Sequence, residues 1–203
     1  MASDKVILAF DTSGPFCAAA VLVNGEFTAC RADDMARGQA EAIMDIIVDV
    51  LNTSGVTLQD VSRIGVGTGP GNFTGIRISV SAARGFALSL GIPAIGVNGF
   101  DATLYGQSDE AVACLPAIRD QIYFSGHGLD AQLADRDQAA RLGRSLIDRP
   151  DPAQLVKNIA RIAENAENAE NAKRFYRPVP MYVKPADAAP ARDLPPKVLD
   201  DAS

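Results

Sequence analysis

The sequence predicts an α/β protein organised around a mixed β-sheet. Three strand-like segments open the chain, at residues 5–12, 17–23 and 26–31, and Asn24-Gly25 favours a tight hairpin between the last two. Helical and extended segments then alternate through the first half of the chain, which is the pattern of an α/β fold. A glycine-rich turn at residues 69–75 joins one of these strands to a helix.

The first helix, predicted over residues 41–52, has an unusually wide apolar surface. A narrow stripe at helical spacing is acidic or polar and consists of Glu41, Asp45, Asp49 and Asn52. Apolar side chains cover roughly two-thirds of the circumference, whereas a surface helix needs an apolar stripe of only about 100°. Either this helix is buried within the fold or another chain covers part of it.

The second helix, predicted over residues 75–90, follows a short turn at 56–60 and a β-branched strand at 64–68. It carries arginines on one stripe and many small residues, which permit close packing of a neighbouring helix. We expect the two helices to lie side by side and form a joint surface, on which the acidic stripe of one copy can face the arginines of another. The alternative is that these arginines are ordinary solvated charges. The predicted interface residues are Ile43, Ile47, Val50, Leu51, Arg77, Val80, Ser81, Ala83, Arg84 and Ala87.

A strand at residues 92–97 and a helix at 98–105 complete a predicted first lobe, residues 1–106. The composition shifts near residues 106–109, and a smaller second lobe is predicted over 107–185. Its expected elements are strands at 111–118 and 121–126, a polar, turn-rich stretch at 136–149, a helix at 151–172 and a short strand at 181–183.

Two segments are predicted to lie outside the packed structure. The Ala-Glu-Asn repeat at residues 163–172 has a period of three, which gives no constant helix face, so we interpret it as a solvated segment. Residues 186–203 continue a proline-rich stretch and are predicted to be a flexible tail.

The amino-acid composition disfavours several classes of protein, including nucleic-acid-binding, membrane-spanning and secreted proteins. The net charge of −6 and a pI near 4.8 disfavour a protein that binds nucleic acid unaided, since such proteins usually carry a basic face. No apolar run approaches the ~20 residues of a membrane span, and we expect no signal peptide. The three scattered cysteines fit a reducing compartment. We therefore expect a cytoplasmic protein without a membrane partner.

The glycine-rich turn is predicted to be a phosphate-type loop. A strand, a glycine turn and a helix N-terminus together form a common anion site, because the first N–H groups of the helix have no partner within it. The turn matches neither the Walker A sequence nor the dinucleotide fingerprint. A tight strand-to-helix turn without a ligand is an equally good interpretation. The residues concerned are Gly69, Gly71, Asn72, Thr74 and Gly75.

Asp11, Thr12 and Ser13 form the second half of this candidate site. They follow the first strand and precede the second, so the carboxylate of Asp11 is expected to face a metal–phosphate group or the glycine loop. The alternative is an Asx-turn, in which an aspartate accepts hydrogen bonds from nearby backbone N–H groups.

The sequence contains little reactive chemistry. His127 is the one histidine, and neither His-x-x-x-His, Cys-x-x-Cys nor Gly-x-Ser-x-Gly occurs. No pair of carboxylates stands out as an acid–base couple. We therefore predict no catalytic residues and no metal site.

Three segments together resemble the TsaB (YeaZ) family. They are Ile7-Leu-Ala-Phe-Asp-Thr-Ser13, Gly65-Val-Gly-Thr-Gly-Pro-Gly-Asn-Phe-Thr-Gly-Ile-Arg-Ile78 and Gly91-Ile-Pro-Ala-Ile-Gly-Val97. The resemblance covers the first half well, and residues 69–77 are its most specific part. It implies an actin-like ATPase (ASKHA, ribonuclease H-like) fold with two lobes and mixed β-sheets.

The resemblance also implies a function. Members of this family support formation of N6-threonylcarbamoyladenosine (t6A) at position 37 of tRNAs that read codons beginning with A. TsaB is the partner of its catalytic paralogue TsaD, with TsaE as an associated ATPase. It implies a homodimer when the chain is isolated, tRNA contact only through the complex, and no cofactor of its own, with ATP at the level of the complex. The paralogue has a metal-binding histidine pair where this chain has Gly99 and Thr103.

Two departures and two competing functions accompany the resemblance. Gln39 stands where relatives often have histidine, and the short second lobe weakens the expectation of nucleotide binding in the cleft between the lobes. An autonomous nucleotide-binding ATPase or kinase that uses Asp11 and the 69–75 loop is the alternative function. A glycoprotease, as the old peptidase M22 label of the family suggests, has no catalytic residues to support it.

Overall fold

The computed structural model describes residues 5–166 and 178–183. Its first sheet has five strands in the order β3-β2-β1-β4-β5. The strands are β1 (Val6–Asp11), β2 (Phe16–Val23), β3 (Glu26–Asp34), β4 (Val61–Gly67) and β5 (Ala94–Val97). The first three are antiparallel, and β4 and β5 run parallel to β1. The predicted mixed sheet is confirmed.

Both faces of this sheet are covered by helices. Helices α1 (Gln39–Thr53) and α2 (Phe73–Leu90) pack side by side on one face, as predicted, around Leu8, Phe10 and Ile64. Helix α5 (Pro152–Asn165) packs on the other face against Ile7, Ala9 and Phe16. Because β1 and β2 are buried on both faces, they consist almost wholly of apolar residues.

The second sheet has four strands in the order β8-β7-β6-β9. Here β6 (Val112–Pro116), β7 (Ile122–Gly126) and β8 (Leu129–Ala134) are antiparallel, and β9 (Leu146–Asp148) runs parallel to β6. Helix α3 (Gly99–Leu104) precedes β6, and helix α4 (Arg136–Ala140) lies between β8 and β9. Two lobes with mixed sheets were expected, and this part of the fold class is confirmed.

Several predicted elements of the second half need correction. Residues 136–149 contain α4 and β9 rather than turns alone, and β8 was not predicted. Residues 181–183 form no strand. The Met181 N–H donates to the Thr68 carbonyl at 2.7 Å, and the Met181 and Val183 side chains pack with Phe100, Ala113 and Leu115. The Ala-Glu-Asn repeat beyond residue 166 and the predicted tail at 186–203 lie outside the described residues.

Helix α5 connects the second half of the chain to the first. It follows the predicted boundary at residue 106 in sequence, yet its buried side chains lie on the first sheet. The boundaries of the lobes stay predictions. Among the described residues, no helix combines the length and apolar character that a membrane span requires.

Candidate functional site

The carboxylate of Asp11 lies at the end of β1, where strand and turn meet. It is 2 % exposed, and its two oxygens accept hydrogen bonds from the Ser13 N–H at 2.7 Å and the Ser13 hydroxyl at 3.0 Å. This is the local hydrogen bonding of an Asx-turn. The carboxylate also lies over Gly67 of β4, where any Cβ would collide with it. Asp11 and the strand leading to the glycine loop are therefore in direct contact.

Burial dominates the electrostatics of Asp11. Removal from water raises the pKa of its carboxyl above the ordinary value, while the hydrogen bonds from Ser13 and the charge of Arg149 act in the opposite direction. Burial lowers the pKa of Arg149 in turn, and the charge of Asp11 opposes that change. Arg149 follows β9 and was missed by sequence reasoning, because no local pattern links it to a residue so far away along the chain.

The glycine loop packs directly on the backbone of the Asp11–Ser13 turn. A Cβ at Gly75 would overlap the carbonyl oxygen of Thr12, and one at Gly71 would overlap that of Ser13. The Asn72 N–H donates to the Ser13 carbonyl at 2.7 Å, and the Thr12 hydroxyl donates to the Gly75 carbonyl at 2.7 Å. The glycines are thus required for close approach of two backbone segments.

The N-terminus of α2 is capped from within the chain. The Asn72 side-chain oxygen accepts from the N–H groups of Thr74 at 3.0 Å and Gly75 at 3.2 Å. These are the donors that an anion at a helix N-terminus would use. The structure brings all eight predicted loop residues into one neighbourhood, and its contacts account for the glycines as a tight turn. Their assignment as a phosphate-type site stays a prediction.

Replacing Asp11 by asparagine should flatten one part of the stability–pH profile. A carboxyl whose pKa is raised on folding binds its proton more tightly in the folded state, so stability falls as pH rises from 3.8 through the folded pKa. Asp11→Asn removes this loss, which chemical denaturation at a series of pH values between about 4 and 7 will measure.

Asp60→Asn is the matched control for this measurement. Its exposed carboxylate accepts hydrogen bonds from Thr57, and its pKa is lowered, so its contribution to stability is lost as pH falls. The two variants should therefore change the profile in opposite senses. Equal profiles for Asp11→Asn and the parent chain would contradict a raised pKa at Asp11.

The predicted interface residues divide into two groups. Those on the apolar side of the two helices lie in the core of their own chain, at 6 % exposure or less: Ile43, Ile47, Val50, Leu51, Val80 and Ala83. They cannot contact another chain without unfolding, so their placement on the surface is corrected. Ala87 is half-buried, and Arg77, Ser81 and Arg84 are exposed.

The two arginines of α2 hold the segment 178–183. The Arg77 guanidinium lies 3.7 Å from the centre of the Phe73 ring, and its Nε donates to the Tyr182 hydroxyl at 3.2 Å. The Arg84 Nε donates to the Pro178 carbonyl at 2.9 Å. These arginines are neither freely solvated nor wholly available to another chain.

The exposed side of α1 carries apolar residues that sequence reasoning did not single out. Met44 is 44 % exposed and Val48 is 55 % exposed, one turn apart, next to the exposed carboxylates of Asp45 and Asp49. Arg31 pairs with Asp49 at 3.3 Å. The sequence signal for this exposed apolar surface was that the apolar residues of α1 cover more of the helix than one sheet can bury. Periodicity alone does not show which of these residues face the sheet.

The two positions of the paralogue's histidine pair lie in packed surroundings. A Cβ at Gly99 would contact the Leu115 side chain at 3.0 Å, and Thr103 is 3 % exposed. The backbone carbonyl of His127 accepts from Arg144 at 3.1 Å. Within residues 5–166 and 178–183, no three His, Cys, Asp or Glu side chains are grouped as a metal ion would require.

Comparison with known proteins assigns the chain to a family. A family model described as TsaD, tRNA N6-adenosine threonylcarbamoyltransferase, matches residues 33–185. The chain belongs to this family. Within it, the chain is 32% identical to the tRNA threonylcarbamoyladenosine biosynthesis protein TsaB of Escherichia coli over 133 residues, 61% of this chain and 55% of the relative. It is 33% identical to TsaB of Haemophilus influenzae over 125 residues, 59% of this chain and 52% of the relative.

The resemblance to TsaB (YeaZ) stated from the sequence is thus confirmed. The chain spans about half the length of the curated TsaB proteins that it matches. It is also 33% identical over 126 residues to a tRNA N6-adenosine threonylcarbamoyltransferase of Jannaschia, 58% of this chain and 33% of that relative. TsaB and TsaD relatives therefore both match this chain.

Two solved structures have the same fold as this chain. The chain superimposes with a TM-score of 0.68 on a Pseudomonas aeruginosa protein described as similar to peptidase YeaZ, covering 89% of this chain and 100% of that one at 21% identity. YeaZ from the same organism gives 0.63, with 88% and 99% covered at 23% identity. The mixed α/β fold with two mixed sheets that was predicted for this TsaB-family chain is confirmed, and it is shared with these two YeaZ structures.

Proposed function

We propose that this TsaB-family chain is an accessory subunit of the complex that forms t6A at position 37 of tRNAs reading ANN codons. In this proposal it binds and supports a catalytic TsaD subunit and performs no catalysis alone. The curated relatives named TsaB support this role, as does the TsaD-family match over three-quarters of the chain.

The exposed side of α1 is the observation that carries the proposal. Met44 and Val48 form an apolar strip on a helix whose other large apolar residues are buried in the core. An exposed apolar strip bordered by charges is typical of a protein interface. The carboxylates of Glu41, Asp45 and Asp49 border it, so a complementary partner presents apolar and basic side chains.

The same surface suits the other predicted partners. A second copy of this chain offers the same strip, so we propose that the isolated chain forms a homodimer through it. Pairing with TsaD then replaces one copy by a paralogue of the same fold. The net charge of −6 supports tRNA contact only through the complex, in which TsaE is the associated ATPase.

We further propose that the chain has no cofactor of its own and that ATP acts at the level of the complex. The capping of α2 by Asn72 and the backbone contacts of Gly71 and Gly75 support this part. These groups are already used within the chain, so a phosphate would have to displace them.

Introducing two carboxylates into the apolar strip of α1 tests the proposed surface. We expect Met44→Asp combined with Val48→Asp to weaken TsaD binding by at least about tenfold, because two apolar contacts are lost and two carboxylates are desolvated. Titration calorimetry with purified TsaD measures this, and the t6A content of tRNA from cells that depend on the variant gives the functional result.

Ile118→Asp is the matched control for this titration. Ile118 is 69 % exposed between β6 and β7, far along the chain from α1. The Ile118→Asp variant should therefore bind TsaD as the parent chain does. Both variants alter exposed side chains, so both should remain folded. Unchanged TsaD affinity in the α1 variant, with the fold intact, would exclude this surface.

A further inference from the structure

Residues 178–183 contact both halves of the protein. Towards the first sheet, the Arg84 Nε of α2 donates to the Pro178 carbonyl at 2.9 Å. The Met181 N–H donates to the carbonyl of Thr68, directly before the glycine loop, at 2.7 Å. Towards the second sheet, Met181 and Val183 pack against a buried apolar cluster that consists of Phe100, Ala113 and Leu115. One short segment thus connects α2 and the end of β4 to the second sheet.

The side chain of Tyr182 attaches this segment to the first turn of α2. The centre of its ring lies 5.2 Å from that of Phe73, and its hydroxyl accepts a hydrogen bond from the Arg77 Nε at 3.2 Å. The Arg77 guanidinium lies 3.7 Å from the centre of the Phe73 ring. Phe73 is 36 % exposed and Tyr182 is 40 % exposed, so water and other proteins can reach this attachment.

The segment buries little of its own surface. Pro178 is buried, but the five residues that follow it are half-buried or exposed, and Val179 is 66 % exposed. Segments with few buried apolar contacts and solvent-exposed hydrogen bonds open locally, without unfolding of the rest of the protein. We therefore expect residues 178–183 to open while the strands of the first sheet stay paired.

The two arginines that hold the segment can bind a stronger acceptor. Within the part of the chain that the structure describes, neither Arg77 nor Arg84 forms an ion pair with a carboxylate. A carboxylate binds a guanidinium through two parallel N–H groups, and these charged hydrogen bonds are stronger than those to a neutral hydroxyl or carbonyl. We propose that residues 178–183 are a latch between α2 and the second sheet, and that carboxylates presented to these two arginines release it.

Release of the latch affects both halves of the protein. It frees the carbonyl of Thr68, which precedes the glycine loop, and it removes Met181 and Val183 from the apolar cluster beside the second sheet. An acidic protein surface that docks on α2 therefore loosens the connection between this helix and the second sheet. The charges that release the latch need not come from any particular partner.

Hydrogen exchange at the Met181 amide measures the opening of the latch, because this N–H is bonded to the Thr68 carbonyl when the latch is closed. In the full parent chain we expect this amide to exchange faster than the amides of β1. Tyr182→Phe keeps the ring but loses the hydrogen bond to Arg77, so it should speed exchange at Met181 by about threefold. Val179→Ala alters an exposed side chain of the same segment and is the control, for which we expect no change.

Ser81→Glu supplies a carboxylate from within the chain. Ser81 is exposed on α2, four residues after Arg77 and three before Arg84, and side chains at these spacings are neighbours on a helix surface. We expect this variant to speed exchange at Met181 by at least about twofold while exchange in β1 stays unchanged. Ser81→Gln has nearly the same shape without the charge, and it should exchange as the parent chain does.

Three results would overturn the proposal. The first is a Met181 amide that exchanges as slowly as the amides of β1, since the segment would then open only when the whole protein unfolds. The second is an unchanged rate in Tyr182→Phe, and the third is an equal rate in Ser81→Glu and Ser81→Gln. None of these measurements involves TsaD, so the latch and the proposed function are tested separately.

Discussion

Replacing Gly75 by alanine should destabilise the protein by about 3 kcal/mol or more. The new Cβ would overlap the backbone carbonyl oxygen of Thr12, which cannot rotate away as the end of a side chain can. Relief would require moving α2 away from the Asp11–Ser13 turn. That movement would break the hydrogen bond from the Thr12 hydroxyl to the Gly75 carbonyl.

Gly85→Ala is the matched control on the same helix. No atom lies within 4 Å of a Cβ placed at Gly85, which is exposed in the middle of α2. Alanine there should stabilise the fold by roughly 0.5–1 kcal/mol, because glycine costs conformational entropy in a helix. Urea denaturation measures both changes. If Gly75→Ala lowered the free energy of unfolding no more than Gly85→Ala does, the close packing of the glycine loop on the Asp11–Ser13 turn would not contribute to stability.

Replacing Ile159 by alanine should cost about 2–5 kcal/mol of unfolding free energy. Ile159 is 1 % exposed, and it packs from α5 onto the first sheet, next to Gly65. Truncation leaves a cavity between the helix and the strand, and the rigid sheet will fill little of it. The loss should appear in the unfolding of the first sheet, although Ile159 belongs to the second half of the chain.

Ile162→Ala provides the comparison on the same helix. Ile162 is only partly buried, so its truncation should cost clearly less than that of Ile159. Hydrogen exchange at the amides of β1 and β4 locates the effect. If Ile159→Ala left their protection unchanged while loosening the second sheet alone, the placement of α5 would be wrong.

The first sheet could be predicted because its signals are local. Asn24 and Gly25 have positive φ and form the turn that the dipeptide predicts, and Gly91 ends α2 in the left-handed conformation that a helix C-terminus favours. Strands β1 and β2 are continuous apolar runs, which distinguishes buried strands from amphipathic ones. Element type and order follow from such patterns without any long-range information.

The second sheet was harder to predict for physical reasons. Strand β9 has only three residues, and β8 alternates partly buried and exposed positions without strong β-formers. Helix α4 has five residues. Elements this short are held by their neighbours in space rather than by their own sequence, so periodicity carries little information about them.

In the candidate sites, too, features set by local sequence could be predicted and features set by long-range packing could not. That Asp11 and the glycine loop meet could be expected from their positions at the ends of β1 and β4. The contribution of Arg149 could not, since it depends on how the second sheet sits on the first. On α1 the sequence predicted too much apolar surface for one sheet to cover, but only the three-dimensional packing distinguishes the buried Ile47 from the exposed Val48.

The position of α5 has a consequence for synthesis on the ribosome. One face of the first sheet is complete once α2 and β5 have emerged, but its other face stays uncovered until α5 follows, roughly 70 residues after Val97. At about 5–20 residues per second, the nascent chain exposes that apolar face for several seconds. The first lobe should therefore depend on chaperones during translation more than its strong local signals suggest.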